Sequence, residues 1–328
     1  MKAAFYTRNG PADEVLTMGE RPKPKPGEGE VLVRVAFSGV NPSDVKSRAG
    51  RPLAGDHVIP HSDGSGTVEA VGEGVDAARI GERVWLWNGQ WGRADGTCAE
   101  YIALPQAQAI ALPDGVSLET GACLGIPGLT AAHAVNLLAR EEGARSVLVT
   151  GAGNAVGNLA CQMAKQMGLT VIGTASARRG ALAGKAGCDA VIDRHSSPGR
   201  DDLATAIIEA NAGKPVDAII DMDFSSTSKL LGQGVLKPHG VLIGYGSNDM
   251  TQTAFDFRQA LFNCHRLLFF VVYELLRAER EAALARLASA LDAGLSVAIA
   301  EILPLGEAVR AHQAVEGGAV CGNVLIGC

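Results

Sequence analysis

Residues 146–157, Ser-Val-Leu-Val-Thr-Gly-Ala-Gly-Asn-Ala-Val-Gly, constrain the fold of this chain more than any other stretch. The apolar run Val147–Val149 predicts a buried parallel strand. A turn of small residues follows from Gly151 to Gly157, and Leu159–Met167 then predicts a helix ending at Gly168. Strand, glycine turn and helix form a dinucleotide-binding unit, because the open helix N-terminus presents N–H groups and a positive dipole end to a pyrophosphate. The spacing G-x-G-x-x-G is not met: Gly151 and Gly153 are present, position 156 is Val, and the last glycine arrives at 157. In the shifted frame Ala152, Asn154 and Gly157 hold the three positions. A glycine turn before a helix can also be a mere tight connection, so the rest of the chain must decide.

At 328 residues the chain is long enough for two domains with substantial cores. Its net charge of −6 argues against a general nucleic-acid binder, which would be basic. The longest apolar run, Leu267–Tyr273, suits a strand and is too short to span a membrane. Met1–Tyr6 has no long apolar segment of the signal-peptide kind, so the expected location is the cytoplasm. The seven cysteines contain no C-x-x-C pair and read as free thiols, with neither a disulfide framework nor a structural zinc.

The first third reads as short strands punctuated by Gly and Pro: Met1–Tyr6, Glu30–Phe37, Thr67–Gly72, Gly81–Leu86 and Cys98–Ala103, with a short helix over Val45–Ala49. Here the ordered segments Gly39-Val-Asn-Pro-Ser-Asp44, Val68-Glu-Ala-Val-Gly72, Gly81-Glu-Arg-Val84, Ala99-Glu-Tyr101 and Gly125-Ile-Pro-Gly-Leu-Thr-Ala-Ala132 precede the nucleotide turn. With them the chain resembles the zinc-free medium-chain dehydrogenases/reductases of the quinone oxidoreductase (zeta-crystallin-like) branch. The resemblance runs through Gly322-Asn-Val324. It implies an α/β fold: a GroES-like, β-rich catalytic domain over 1–120, completed by 296–328, and a Rossmann domain with a doubly wound parallel sheet over 121–295. Zinc members of the superfamily carry Cys where this chain has Asn41, and a His-Glu pair that falls here on Ser62-Asp63. Asn and Ser are poor zinc ligands, so no metal is expected, although Asp56, His57, His61 and Asp63 could form an accidental site.

Within the second domain, strands are expected at 169–174, 191–194, 217–222, 241–245 and 267–273, and helices over Ser228–Val235 and Glu274–Leu291. The end of the second strand bears on cofactor choice. NAD-specific folds place a carboxylate there against the ribose 2′-hydroxyl. This chain has Thr174-Ala-Ser-Ala-Arg-Arg179, and Arg194 closes the next strand. Ser176, Arg178 and Arg194 would hold a 2′-phosphate, so NADPH is the expected cofactor. Single arginines are commonly mere surface charges, and it is their joint placement that carries this reading. The other expected cofactor-binding residues are Gly153, Asn154, Ala155 and Val156 in the turn, with Lys46, Thr130, Ser225, Gly246 and Ser247. Val271, Val272 and Tyr273 beside the nicotinamide and Asn323 complete the set; relatives have Lys at this last position. The flat apolar character of 267–273 suits pairing with a second subunit, so a homodimer is expected.

The residues contain no Schiff-base motif and no Ser-His-Asp set, which leaves hydride transfer from the nicotinamide to a small electron-poor acceptor, a quinone or another α,β-unsaturated carbonyl. Asn41 and Lys46 are the candidate catalytic residues, steadying the oxyanion or enolate. Asp44 reads as a cap of the short helix. The segment 85–92 holds all three tryptophans, and Trp87 and Trp91, with Asn41, are candidates for the substrate pocket. Core packing or a dimer contact explains these tryptophans equally well. Two other readings stay open: a zinc-free reductase of a different activated double bond, and a nucleotide-binding protein without turnover, crystallin-like or RNA-binding.

Overall fold

The computed structural model describes residues 1–194, 200–249 and 251–328. The described chain forms two compact units, Met1–Ile126 with Val297–Cys328, and Pro127–Ser296.

The first unit opens with strands β1 (Lys2–Phe5), β2 (Thr17–Glu20), β3 (Glu30–Val40), β4 (Asp63–Val71), β5 (Arg83–Leu86), β6 (Tyr101–Pro105) and β7 (Ala109–Ala111), and helices α1 (Ala12–Val15), α2 (Pro42–Gly50) and α3 (Leu118–Gly121). β3 buries one face from Val31 to Val35, and Leu32 on the other face is buried as well. Val31, Val33 and Val35 pack inward with Val68, Val84, Leu86, Ile102 and Leu104, while Arg34 faces out. β3 runs on to Val40 because Ser38 and Gly39 still find partners in Gly64 and Asp63 of β4. Proline at the first position of α2 and Asn41 ahead of it set that helix start.

The second unit holds α4 (Leu129–Leu138), β8 (Ser146–Val149), α5 (Ala155–Gln166), β9 (Thr170–Ala175), α6 (Ala177–Lys185), β10 (Ala190–Asp193), α7 (Arg200–Ala210), β11 (Val216–Asp221), α8 (Phe224–Thr227), β12 (Leu236–Gly244), α9 (Phe257–Phe262), β13 (Arg266–Phe269) and α10 (Arg277–Asp292). The strands form one sheet in the order β10-β9-β8-β11-β12-β13, and every pairing is parallel. This is the doubly wound order, which reverses direction between β8 and β11; in such sheets ligands bind at the carboxyl ends of the strands beside the reversal.

Three sequence expectations need correction here. The helix expected over Ser228–Val235 starts earlier, as α8, and continues as a 3-10 turn over Ser228–Gln233, because the Thr227 N–H bonds back to the Asp223 carbonyl and Gly234 at φ +73 ends it. The last strand stops at Phe269: the Arg280 guanidinium takes the carbonyls of Val272 and Tyr273, so that stretch turns toward α10. The helix expected from Glu274 begins at Arg277; its buried face is Arg280, Ala283, Leu287 and Ala290, and Leu276 just ahead of it is 70% exposed.

The chain then returns to the first unit as β14 (Ile299–Pro304), α11 (Ala308–Glu316) and β15 (Asn323–Gly327). The larger sheet there has the order β14-β15-β3-β4-β5-β7, with β6 also paired to β3. α2 and α11 are joined by a buried polar chain. Arg48 of α2 is fully buried; its Nε donates to His312 Nδ1 at 3.3 Å and its Nη2 to Glu316 at 3.0 Å. His312 Nε2 then meets His61 Nε2 at 2.9 Å, and His61 Nδ1 meets Ser38 Oγ at 2.8 Å. Ser38 reaches Thr97, whose hydroxyl donates to the Asp63 carbonyl at 2.6 Å. Since arginine can only donate, every tautomer along this chain follows. Burial lowers the pKa of both histidines, that of His312 to about 3, so both are neutral. Among the described residues no helix is long and apolar enough to cross a membrane.

Candidate active site

The glycine turn lies at the carboxyl end of β8, beside the reversal of the sheet. Gly151 takes φ +65. The close packing beneath the turn needs glycine at two further positions. A Cβ on Gly153 would fall 2.5 Å from the Arg179 carbonyl oxygen, and one on Gly157 2.3 Å from that of Gly151. Asn154 caps the approach to α5: its N–H bonds to the Gly151 carbonyl at 2.8 Å, and its side-chain amide turns onto Met222 Sδ, also at 2.8 Å. The Asn158 N–H closes the first turn on the Asn154 carbonyl at 2.8 Å, so the N–H groups of Ala155 and Val156 stand ahead of that bond at the open helix end. The cradle has the open backbone and the space that a dinucleotide pyrophosphate requires. Asn154 contributes no crowding side chain.

The strands on either side complete the rim. Ser176 follows β9 at the N-cap position of α6 without a capping hydrogen bond from its hydroxyl, and Arg178 lies in the first turn of that helix. Arg194 follows β10, and its N–H bonds to the Ala175 carbonyl at 3.1 Å. The structure therefore brings Ser176, Arg178 and Arg194 together at adjoining strand ends, beside Asp193. Beyond the reversal, Ser225, Gly246 and Ser247 gather around Asp223. Its carboxylate accepts from Ser225 Oγ at 2.5 Å, from Ser226 Oγ at 2.8 Å and from Asn248 N and Nδ2 at 2.8 and 2.7 Å. Burial alone would raise the Asp223 pKa, but these donors outweigh it and hold the group below the usual carboxylate range. Ser247 Oγ receives the Ser225 N–H at 3.3 Å, and the Gly246 carbonyl receives that of Phe224 at 3.0 Å. Thr130 is buried on α4; past β13, Val271 is exposed, Val272 buried and Tyr273 half-buried.

In the first unit a second polar cluster is built around Asn41. Its N–H donates to Asp44 Oδ2 at 2.8 Å, the third-residue half of a capping box in which Asn41 is the N-cap, and its amide Nδ2 donates to Asp63 Oδ2 at 2.8 Å. Asp63 also accepts the Ile126 N–H at 2.8 and 2.9 Å. Burial raises both carboxyl groups, Asp44 to about 7 and Asp63 well above its ordinary value. Lys46 is exposed on α2. Trp91 lies under the Arg51 guanidinium at 4.4 Å, and Trp87 Nε1 donates to the Ala107 carbonyl at 3.2 Å. Asn323 gives its amide to the Ala298 carbonyl at 2.9 Å. His61 and His57 are separated: His61 joins His312, whereas His57 lies between Asp56 and Asp95. Among the described residues no group of three or more His, Cys, Asp or Glu side chains could hold a metal ion.

Two family models match the chain: the alcohol dehydrogenase GroES-like domain over residues 27–114, and the zinc-binding dehydrogenase domain over 155–289. Quinone oxidoreductase of Pseudomonas aeruginosa is 30% identical over 245 residues, 74% of this chain and 72% of that protein. The chain belongs to the quinone oxidoreductase family of medium-chain dehydrogenases/reductases. Rat quinone oxidoreductase is 34% identical over 220 residues, which is 64% of each chain, so the match spans just under two thirds of that relative. Mycobacterial Rv1454c, solved in complex with NADPH, superposes with a TM-score of 0.84 at 28% identity, with 100% of both chains covered. Two residues that organise this end of the sheet, Asp221 and Met222, are not singled out by the sequence. Asp221 Oδ1 gathers Thr150 Oγ1, Thr227 Oγ1 and the Asp223 N–H, and burial raises its pKa. An acid at the end of an apolar strand was the available signal for Asp221.

Proposed function

We propose that this chain is an NADPH-dependent reductase that passes hydride to a quinone or another α,β-unsaturated carbonyl without a metal. The observation that carries the reading is the glycine cradle at the sheet reversal with Ser176, Arg178 and Arg194 at the ends of the neighbouring strands. The cofactor supplies the hydride from its reduced nicotinamide. Ala155 and Val156 bind the pyrophosphate through their N–H groups, and Gly153 admits it. Ser176, Arg178 and Arg194 hold the 2′-phosphate, which a carboxylate at the end of β9 would repel. Ser225, Gly246 and Ser247 are proposed to shape the cofactor site, and Thr130, Val271, Val272 and Tyr273 to shape its nicotinamide end. Asn323 has its amide bonded locally and contributes at most backbone.

Asn41 and Lys46 steady the developing oxyanion. Asn41 gives an amide hydrogen to Asp63 and its side chain also bonds the Asp44 carboxyl, which together fix the rotamer from which the amide is proposed to donate. Lys46 supplies charge to that oxyanion or to a cofactor phosphate. Metal independence is supported by the donor set: Asn41, Ser62 and Asp63 stand where zinc relatives have Cys, His and Glu. Trp87 and Trp91 are proposed as the pocket wall for an aromatic acceptor. The protein is read as a cytoplasmic homodimer that binds neither nucleic acid nor membrane, in keeping with its net charge of −6. The decisive assay is oxidation of NADPH and NADH against a panel of quinones and enones, after chelation, with a parallel measurement of the NADPH Kd. Turnover that survives chelation and favours NADPH is expected. Tight NADPH binding without any turnover would instead establish a binding protein.

A further inference from the structure

The second unit holds two thiols in contact. Cys161 on α5 is fully buried, Cys188 before β10 is partly exposed, and their sulfurs lie 3.4 Å apart. Gly187 at φ +87 turns the chain ahead of Cys188. A Cβ on Gly173 of β9 would lie 2.8 Å from Cys188 Sγ and 2.7 Å from Ala152 Cβ. The space above Gly173 is therefore shared by the Cys188 sulfur and Ala152, the middle of the glycine turn. α5, which carries Cys161, begins directly after the same turn.

We propose that Cys161 and Cys188 form a dithiol modification site, closed to a disulfide by a hydroperoxide, that loosens the nucleotide turn's hold on NADPH; this rests on the nucleotide reading above. A disulfide draws the sulfurs from 3.4 Å to about 2.05 Å. The Cys188 sulfur then leaves part of the seat it shares with Ala152, and α5 shifts against the turn. Cys188 is the first to react. A hydrogen bond from the Cys161 thiol lowers its pKa, which raises the thiolate fraction, and it is the more accessible of the two. The Cys188 thiolate attacks the peroxide: an S–O bond forms, the O–O bond breaks, and the departing oxygen takes a proton to become an alcohol or water. Cys161 then attacks the sulfenic sulfur; the S–S bond forms, and hydroxide leaves with the Cys161 proton as water. Two thiols lose two electrons in total, and the peroxide gains them.

The test treats the full chain with graded hydrogen peroxide, maps its peptides without reduction and measures the NADPH Kd. A peptide linked through Cys161 and Cys188 is expected. The Kd should rise by about threefold or more and return after dithiothreitol. Cys161→Ala and Cys188→Ala should abolish the link, and peroxide should leave each variant's own NADPH Kd where it stood before treatment, whatever that starting value is. Replacing the exposed Cys264 with Ala should change neither. The parent's peptide map stands even if a variant fails to fold. NADPH binding without a linked peptide, or a linked peptide with an unchanged Kd, overturns the dithiol inference alone. Failure of the reduced protein to bind NADPH overturns the nucleotide reading and this coupling with it.

Discussion

At the scale of single residues, the nucleotide turn depends on atoms that are absent. Gly153→Ala would push a methyl into the Arg179 backbone, 2.5 Å away, and a backbone carbonyl cannot rotate aside as a side-chain end can. A loss of NADPH affinity of about tenfold or more is expected, about 1.4 kcal/mol, read by titrating nicotinamide fluorescence. Arg178 and Arg194 act differently, since each would reach only the 2′-phosphate. Arg194→Ala should weaken NADPH by about tenfold, the range of one charge-assisted hydrogen bond, and leave NADH nearly untouched. A parallel loss for both cofactors would assign Arg194 to the fold and remove it from recognition.

Elements are joined by hydrogen bonds that no local pattern announces. The chain from Arg48 on α2 through His312 on α11 to His61 and Ser38 works only with both imidazoles neutral. Their folded pKa values lie below the unfolded value of about 6.5, that of His312 at about 3. As pH falls below the unfolded value, the unfolded chain takes up protons that the folded chain refuses, so this stability is present above that value and is lost toward His312's folded value. Each imidazole costs at most about 1.4 kcal/mol per pH unit in that window. His312→Gln can still accept from Arg48 and donate to His61. Its urea midpoint should therefore fall less steeply between neutral pH and mild acid than the parent's, whatever its stability at neutral pH. On the loop after β5, Trp91→Ala removes the ring beneath Arg51. If this ring is pocket wall, KM for aromatic quinones should rise about fivefold while the NADPH Kd stays unchanged; equal KM values would make the ring structural.

For the whole molecule, the exposed apolar surface of the second unit makes its own demand. β13 is an edge strand, with Phe269 58% exposed, and nearby in sequence Phe257, Leu261 and Phe262 of α9 are 66%, 58% and 71% exposed. An edge that carries aromatic side chains invites pairing with another chain. Light scattering should give a dimer mass. Phe269→Asp combined with Phe262→Asp should shift the mass to that of a monomer, and an unchanged mass would move the interface elsewhere.

The sequence by itself determined the order strand, glycine turn and helix over 146–168, though the helix starts at Ala155 and not Leu159, together with the two family domains and the placement of Ser176 and Arg194 at strand ends. These follow from periodicity and from glycine positions, which neighbouring residues encode. Only the tertiary structure decided which way Asn154 turns, because its partner Met222 is 68 residues away. Asn154 holds a glycine position of the shifted frame, and packing across the sheet reversal draws its side chain aside onto Met222. Likewise His61 and His312, 251 residues apart, share one hydrogen bond, and two cysteines that spacing marked as unrelated thiols touch. A hydrogen-bonding side chain takes whichever partner the packed layers bring within about 3 Å, and sequence distance does not enter that choice.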